Sequence, residues 1–292
     1  MKERLLVSDL DGVVALGEKT VPEVIEGFDR IRENGVATTL ATGRNFRRLK
    51  GILGVDYSRI ISSKYLGKPN LLIVDGGGTV MKTNGEGYHA FPIDINLRRS
   101  IIDTLRHTDP NFIAFDPNPL HPGTPEVWIA PHFNDRKLLT KFRETYTLIE
   151  GPFDALAKRL DIVEPSNIAV SLNSGTAYDL ELPSGINRSA NRGIFDLNVS
   201  GKDMALSVVQ NYFDQSSLRF CIYIGDGWRQ ETTRQGDIIA ENDRPVLLLR
   251  DLGMRIIVSE SPVYGIDEPY VIVKNAQGLG KFLSDFPKTL ST

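Results

Sequence analysis

The stretch "RLLVSDLDGVV" (residues 4–14) decides how the remainder of the chain is interpreted. Residues 4–8 form a short apolar run that ends in turn-forming residues, and this pattern predicts a buried β-strand. Two aspartates, Asp9 and Asp11, follow two positions apart, and Gly12 comes directly after them. Like charges this close repel each other, and carboxylates are poor strand formers. The pair therefore indicates a site at which another group offsets the negative charge.

The segments after this strand alternate between helical and extended patterns. Residues 22–33 carry apolar side chains at helical spacing, between Pro22 at the start and Gly35 just past the end. The stretch "VATTLATGR" predicts a second strand, "NFRRLKGIL" a second helix, and "LLIVDGGG" (71–78) a third strand. This alternation is typical of an α/β fold with a doubly wound parallel sheet.

The pattern changes in the middle of the chain. Residues 83–185 mix helical and extended pieces with frequent proline and glycine, which is typical of an α+β unit of about 100 residues. The α/β pattern resumes with a helix at 202–213 and a strand that ends in Gly-Asp. We therefore predict a discontinuous core domain (1–82 and 186–292) with an inserted α+β domain (83–185).

The composition is that of a soluble globular protein. Of the 292 residues, 41% are hydrophobic and 24% are charged, and the net charge is −3. This charge gives no reason to expect a nucleic acid or an anionic membrane surface as a partner. The single cysteine, Cys221, excludes an internal disulfide framework and suits a reducing compartment. We therefore expect a cytoplasmic protein.

Polar side chains mark the ends of the predicted parallel strands, where an open sheet binds its ligands. These residues are Asp9, Asp11, Thr42, Asp75 and Asp226. Asp243 follows later in "ENDRP", and Lys202 starts the helix before the strand that ends in Gly-Asp. The carboxylates outnumber the cations, so a divalent metal ion is expected to complete the charge balance. Mg²⁺ fits best, because it is a hard cation that prefers oxygen ligands and binds through few carboxylates plus a substrate phosphate.

The motifs "DLDGVV", "LATGR", "SGKDMAL", "IGDG" and "NDRPVLLLRDLG" resemble, in this order, the four motifs of the haloacid dehalogenase (HAD) superfamily of phosphatases. Their spacing is similar to that of the Cof-type subgroup (subfamily IIB), which carries an α+β cap domain between the second and third motifs. The resemblance implies a Rossmann-like core that supplies the chemistry and a cap that selects the substrate.

The resemblance also implies a role for each matching residue. Asp9 attacks the substrate phosphorus and becomes a phosphoaspartate, while Asp11 protonates the leaving oxygen and later deprotonates the attacking water. The metal ligands implied are Asp9, Asp226 and Asp243, with the backbone carbonyl of Asp11 as a further ligand. The other matches are Gly12, Thr42, Gly43, Arg44 and Asn242 around the phosphoryl group or substrate, and Lys202 as the cation that offsets its charge.

Two departures from the family pattern leave alternatives open. In the third motif, Arg188 stands in "LPSGINRSANRG" where a lysine is usual, but "NVSGKDMAL" offers Lys202 at a helix start, which we prefer. Arg188 and Arg192 are then candidates for binding a second anionic group. In the fourth motif, an insertion separates Asp226 from Asp243; its candidates for contact with the substrate or the metal are Trp228, Arg229, Arg234 and Asp237.

We therefore expect a Mg²⁺-dependent phosphatase that hydrolyses a small phosphorylated metabolite, with a sugar phosphate as the favoured class. A phosphohexomutase is the first alternative, because it would phosphorylate Asp9 in the same way and return the phosphoryl group to a sugar hydroxyl. A non-catalytic phospholigand-binding protein is the second, because the fourth motif is interrupted. Thr42 also has a structural alternative as the N-cap of the helix that follows it.

Overall fold

The structure is a computed structural model that describes residues 4–120, 124–173, 182–191, 194–232 and 238–286. Its helices are α1 (Pro22–Glu33), α2 (Phe46–Leu53), α3 (Tyr57–Ile60), α4 (Ile95–Arg106), α5 (Arg136–Thr145), α6 (Phe153–Ile162), α7 (Lys202–Tyr212), α8 (Arg244–Leu247) and α9 (Ala276–Asp285). None of the helices within these ranges has the length and apolar character that crossing a membrane requires.

The core contains a five-stranded sheet in which all neighbouring strands are parallel. Its strands, in chain order, are β1 (Leu5–Ser8), β4 (Ala37–Leu40), β16 (Cys221–Gly225), β19 (Met254–Val258) and β20 (Val271–Val273). Their spatial order is β20-β19-β16-β1-β4, so β1 lies between two strands that are distant in sequence. The prediction of an α/β fold with a parallel sheet is confirmed.

Helices cover both faces of this sheet because side chains of a buried strand point alternately to either side. Leu6 packs with residues of α1 and α9 on one face, whereas Leu5 and Val7 pack with residues of α7 and α8 on the other. This double coverage leaves the carboxyl ends of the strands as the accessible edge of the core, which is where the predicted site residues lie.

The inserted unit, which we call the cap, is built on a six-stranded mixed sheet. Its strands are β10 (Pro110–Phe115), β11 (Glu126–Ile129), β12 (Thr147–Ile149), β13 (Asn167–Leu172), β14 (Asn187–Asn191) and β15 (Ile194–Asn198), in the spatial order β12-β11-β10-β13-β15-β14. Helices α4 and α6 pack on one face, and α5 covers part of the other. Because β14 and β15 belong to this sheet, it extends beyond residue 185, and we place the second domain boundary after Asn198.

Smaller sheets connect or extend these two units. The strands β7 (Leu71–Val74), β8 (Thr79–Lys82) and β9 (Gly87–Ala90) form an antiparallel sheet beside β4. The remaining two-stranded pairs are β2 (Ala15–Leu16) with β3 (Lys19–Thr20), β5 (Lys64–Tyr65) with β6 (Lys68–Pro69), and β17 (Gln230–Thr232) with β18 (Ile238–Ala240). The last pair lies inside the insertion of the fourth motif.

Candidate active site

Asp9 lies directly beyond the carboxyl end of β1, at the centre of the core sheet. Its backbone N–H donates to the carbonyl of Ile224 on β16 at 2.8 Å, which continues the sheet by one residue. The chain then turns at Gly12, whose φ of +81° is in the region that favours glycine. A Cβ atom on Gly12 would lie 1.8 Å from Asp226 Oδ2, so the absence of a side chain lets β1 and β16 bring their acidic residues together.

Lys202, the first residue of α7, joins two of these acidic residues. Its Nζ donates to Asp9 Oδ1 at 2.9 Å and to Asp243 Oδ1 at 2.6 Å, and the side chain is only 1% exposed. Burial alone would favour the neutral amine, but the carboxylates of Asp243 and Asp9 outweigh it and raise the pKa of Lys202. Lys202 is therefore a fixed positive charge beside Asp9.

Arg188, the other candidate for the third motif, lies in a different part of the molecule. It belongs to β14 in the cap sheet, where it pairs in register with Leu197 of β15. It is not among the residues that line the cavity beside Asp9. Of the two candidates, the structure brings Lys202 alone to the carboxylates.

Asp243 is fully buried and accepts four hydrogen bonds. Its Oδ1 accepts from Lys202 Nζ and, at 2.6 Å, from the hydroxyl of Tyr223, while its Oδ2 accepts from the backbone N–H groups of Asp226 (3.1 Å) and Gly227 (3.0 Å). A carboxylate offers about four lone-pair sites, so these bonds use all of them. Asp243 thus fixes Lys202 and the loop that carries Asp226, although 17 positions separate the two aspartates in sequence.

Asp9, Asp226 and Asp243 form a cluster that can hold a metal ion, with one oxygen of each within 4.8 Å of the others. When ionised, the three carboxylates and the ammonium of Lys202 leave two uncompensated negative charges. Burial, and then the charge of Asp243, raise the pKa of Asp9 well above its usual range and that of Asp226 to about 7. An all-oxygen donor set with this charge deficit fits a hard divalent cation.

Asp11 lies outside this cluster and is held by Arg44. The guanidinium donates from Nε to Asp11 Oδ2 at 2.9 Å and from Nη2 to Asp11 Oδ1 at 2.6 Å, a two-pronged pair with about a fifth of each side chain exposed. Burial disfavours the charged guanidinium, but its hydrogen bonds to Asp11 and the negative charge of that residue more than compensate and raise the pKa of Arg44. The two residues that the sequence placed at separate strand ends therefore form one unit.

The motif "LATGR" brings backbone and hydroxyl groups to the same edge. Thr42 is buried, and its Oγ1 accepts a hydrogen bond from the backbone N–H of Arg44 at 3.1 Å. The alternative interpretation of Thr42 as a helix N-cap is wrong, because Asn45 caps α2 by accepting from the N–H of Arg48 at 2.9 Å. Gly43 lines the cavity, as do Gly12 and Asn242.

A cavity of about 590 Å³ lies between this edge of the core and the cap sheet. From the core it is lined by Asp9, Asp11, Arg44 and Asp226, among others, and from the cap by Phe112, Ala114, Asp116, Asn167, Ala169 and Asp196, among others. A small organic molecule attached to a group at Asp9 would fill such a space, since ligand cavities commonly measure about 300–1,000 Å³.

Some residues around the site have no signal in the sequence that would identify them. Tyr223, which donates to Asp243, gives no signal beyond being an aromatic residue in a buried strand. Asp116, directly after β10, and Asp196, within β15, have no local sequence signature either, because each is a lone acid. Of the candidates in the insertion, Trp228 packs in the core and Arg229 lines the cavity. Arg192, Arg234 and Asp237 lie outside the described residues.

The fold matches solved structures over nearly the whole chain. A subclass IIB sugar phosphatase of the HAD superfamily is 13% identical, and the match covers 97% of this chain and 98% of that one with a TM-score of 0.70. A HAD superfamily phosphatase from Bacteroides thetaiotaomicron is 16% identical, with 97% and 95% covered and a TM-score of 0.66. The chain has the fold of the haloacid dehalogenase hydrolases.

A haloacid dehalogenase-like hydrolase from the same organism is similar too, with 17% identity, coverage of 98% and 100%, and a TM-score of 0.68. At the level of the fold, these matches confirm the HAD resemblance that the sequence motifs indicated. No protein family model matches the sequence. No curated protein matches it either.

Proposed function

We propose that the protein is a Mg²⁺-dependent phosphatase that hydrolyses a small phosphate ester through a phosphoaspartate on Asp9. The observation that carries this proposal is the arrangement around Asp9. Its carboxylate lies at a strand end, 2.9 Å from the buried ammonium of Lys202 and within the same cluster as Asp226 and Asp243. Negative charge develops on a transferring phosphoryl group, so a fixed cation and a metal site beside the nucleophile are what such a reaction needs.

In the first step, a carboxylate oxygen of Asp9 bonds to phosphorus and the bond to the ester oxygen breaks. Asp11 donates a proton to the departing oxygen. In the second step, Asp11 takes a proton from a water molecule whose oxygen attacks the phosphorus, and the bond to Asp9 breaks to release phosphate. Arg44 uses one lone pair on each oxygen of Asp11, so the second lone pair of either oxygen is left to carry the proton.

The other residues of the site are assigned to binding the phosphoryl oxygens or the metal ion. Thr42, with its hydroxyl hydrogen available, and the backbone of Gly12 and Gly43 are assigned to the phosphoryl oxygens. We assign Asp9 and Asp226 as direct ligands of Mg²⁺. Asp243 is assigned instead to holding Lys202 and the Asp226 loop, because its lone pairs are already used. When bound, the ion supplies positive charge that stabilises the transferring phosphoryl group.

We propose a sugar phosphate as the substrate class. Two observations support this choice: one of the similar structures is a sugar phosphatase, and the cavity has the size of a small polar molecule. Cys221, buried and unpaired, suits a reducing compartment, so we assign the protein to the cytoplasm.

The proposal is tested with a panel of phosphate esters in the presence of Mg²⁺, including p-nitrophenyl phosphate. We expect hydrolysis by the wild type, a loss of at least about 10³-fold with Asp9→Asn, and no change with Asp267→Asn, an exposed acid of the core. Acid quenching during turnover should trap labelled phosphate on the wild-type chain. If Asp9→Asn retains wild-type turnover, Asp9 is not the nucleophile and the proposal fails.

A further inference from the structure

The cap presents a distinct surface to the cavity because its strands alternate. Ala114 of β10, Ala169 of β13 and Asp196 of β15 are neighbours in register across the sheet, so they share one face. The intervening residues point to the other face, where they pack under α4 and α6. The two alanines are small, so this face leaves room in the cavity that Asp9 and Asp11 line from the core.

Polar groups surround this open space. Asp196 and Asp116 are each only 8% exposed. Asp196 Oδ1 accepts from Asn167 Nδ2 at 3.0 Å, and a Cβ atom on Gly43 would lie 3.7 Å from Asp196 Oδ2, so the side chain reaches towards the "LATGR" loop of the core. The other amide atom, Asn167 Oδ1, is buried and has no hydrogen-bond partner in the described part of the chain.

Asp116, Asp196 and Asn167 together offer more hydrogen-bond acceptors than donors. Burial raises the pKa of both Asp116 and Asp196 to about 6, and at Asp196 the positive charges of Lys202 and Arg44 oppose this rise without cancelling it. Among the described cap residues that line the cavity there is no lysine or arginine. The described cations that line it, Arg44, Arg48 and Arg229, all belong to the core. A buried acceptor without a donor is costly, so a ligand that brings donors is favoured here.

A metal ion does not explain the cap acids. Within the described ranges, the one set of acids whose oxygens converge within 4.8 Å is Asp9, Asp226 and Asp243. Asp116, Asp196 and Asn167 instead surround a space floored by alanines and bounded by apolar side chains such as Phe112 and Phe142. A small organic group with an apolar body and hydrogen-bond donors fits this lining.

We propose that Asp196, Asp116 and Asn167 form the subsite for the leaving group, and that they select phosphate esters whose leaving group carries an ammonium group and no second anion. This inference rests on the proposed phosphatase function and names its substrate class. An ammonium offers three donors and a positive charge to the three acceptors. The sequence had suggested a second anion bound by Arg188, and the acidic lining of the cavity argues against it.

The test compares three sugar esters that differ in charge: glucosamine 6-phosphate, glucose 6-phosphate and 6-phosphogluconate, with p-nitrophenyl phosphate as a probe of the chemistry alone. We expect kcat/KM to be about tenfold higher for the amine than for the neutral sugar, and about tenfold lower for the acid. Asp196→Asn should reduce the amine-to-neutral ratio to about one, and Asp116→Asn should reduce it in the same direction. Asp103→Asn, an exposed acid on α4 behind the cap sheet, should leave the ratio unchanged.

The outcomes separate the two proposals. If p-nitrophenyl phosphate is hydrolysed but the amine has no advantage over the neutral sugar, the subsite inference is overturned and the phosphatase proposal stands. The same holds if the advantage survives both Asp196→Asn and Asp116→Asn. The wild-type ranking decides the question even if one variant fails to fold. If no ester is hydrolysed, the proposed function itself fails, and the subsite inference fails with it.

Discussion

The core wall and the cap wall of the cavity both contain buried acidic side chains, but the hydrogen-bond partners of these polar groups differ between the two walls. On the core wall, Asp243 has all four of its acceptor positions filled, and Lys202 joins two carboxylates. On the cap wall, Asn167 has an amide oxygen with no described partner, and burial raises the pKa of both Asp116 and Asp196. The core wall is therefore preorganised by the protein itself, whereas the cap wall is completed by what binds to it.

The difference follows from how each wall is built. Core groups come from strand ends and a helix start as far apart in sequence as Asp9 and Lys202, and they meet at one buried edge. An error of an ångström there would separate the groups that we propose as nucleophile, cation and metal site, and the two bonds of Lys202 and the four of Asp243 guard against it. Cap groups lie on one face of a sheet, where a substitution changes the lining without moving the sheet. We therefore expect a substitution on one wall to leave the geometry of the other wall unchanged.

The largest effect is expected from Lys202→Met, which removes the buried cation beside Asp9 and Asp243. It leaves the buried carboxylates of Asp9 and Asp243 unpaired, and breaking a buried pair in this way costs about 3–5 kcal/mol of unfolding free energy. Turnover should fall by at least about 10³-fold, because the charge of the phosphoryl group is no longer offset. Urea unfolding of the metal-free protein and steady-state kinetics measure the two losses.

Lys281→Met is the matched control, because Lys281 is exposed on α9 and remote from the cavity. It should leave stability and turnover unchanged. Wild-type activity in a folded Lys202→Met protein would mean that the buried ammonium serves structure alone.

The next effect is expected from Gly12→Ala, which tests the close approach between β1 and β16. The new Cβ would occupy the position of Asp226 Oδ2, so the Mg²⁺ concentration needed for half-maximal activity should rise about 100-fold. Gly35→Ala is the control, because its φ of +80° imposes the same backbone strain with no atom within 4 Å of the new methyl group. Equal metal requirements in the two variants would show that strain, rather than contact with Asp226, is responsible.

The contrast between the walls also explains what the sequence can predict. The strand at 4–8 and the helix at 22–33 were predicted within one residue, since β1 is Leu5–Ser8 and α1 is Pro22–Glu33. Local apolar periodicity determines such elements. The residues at strand ends could be grouped for a related reason: parallel strands share one carboxyl edge, so Asp9, Thr42 and Asp226 had to meet.

The cap could not be derived in this way. The strand Pro110–Phe115 was missed because it begins with proline and lacks alternation, and residues 187–198 were assigned to the core although they form two strands of the cap sheet. Antiparallel pairing joins distant segments whose register depends on the whole sheet. Because this register cannot be read from the sequence, the sequence does not predict that Asp196 lies beside Asn167.

A smaller, graded effect is expected from pH. The pKa of Asp226 is raised to about 7 in the metal-free protein by burial and by Asp243, so protons compete with the metal ion below this value. The half-saturating Mg²⁺ concentration should rise about tenfold per pH unit below pH 7 and level off above pH 8.

The same pKa shift of Asp226 also determines how the stability of the metal-free protein changes with pH. Because the pKa of Asp226 is raised above the ordinary aspartate value of 3.8, this group favours the folded, metal-free protein most at low pH, and the benefit is lost as pH rises through about 7. Mg²⁺ should therefore raise the Tm more at pH 8 than at pH 5.5, relative to EDTA. Asp226→Asn should flatten this dependence, and a pH-independent Mg²⁺ requirement would contradict the assignment of Asp226 as a ligand.

The smallest effect is expected from Glu126→Gln, which alters the cap away from the cavity wall. Glu126 accepts from Arg159 Nε at 2.7 Å and Nη2 at 2.5 Å, but Arg159 is 36% exposed, so solvent screening limits the loss to about 1 kcal/mol of unfolding free energy. The kcat for p-nitrophenyl phosphate should not change, because the core wall keeps every bond. Asp161→Asn, which breaks an exposed pair with Arg99, should change neither quantity. A fall in kcat with Glu126→Gln would mean that cap packing controls the geometry at Asp9, and the two walls would then have to be treated as one unit.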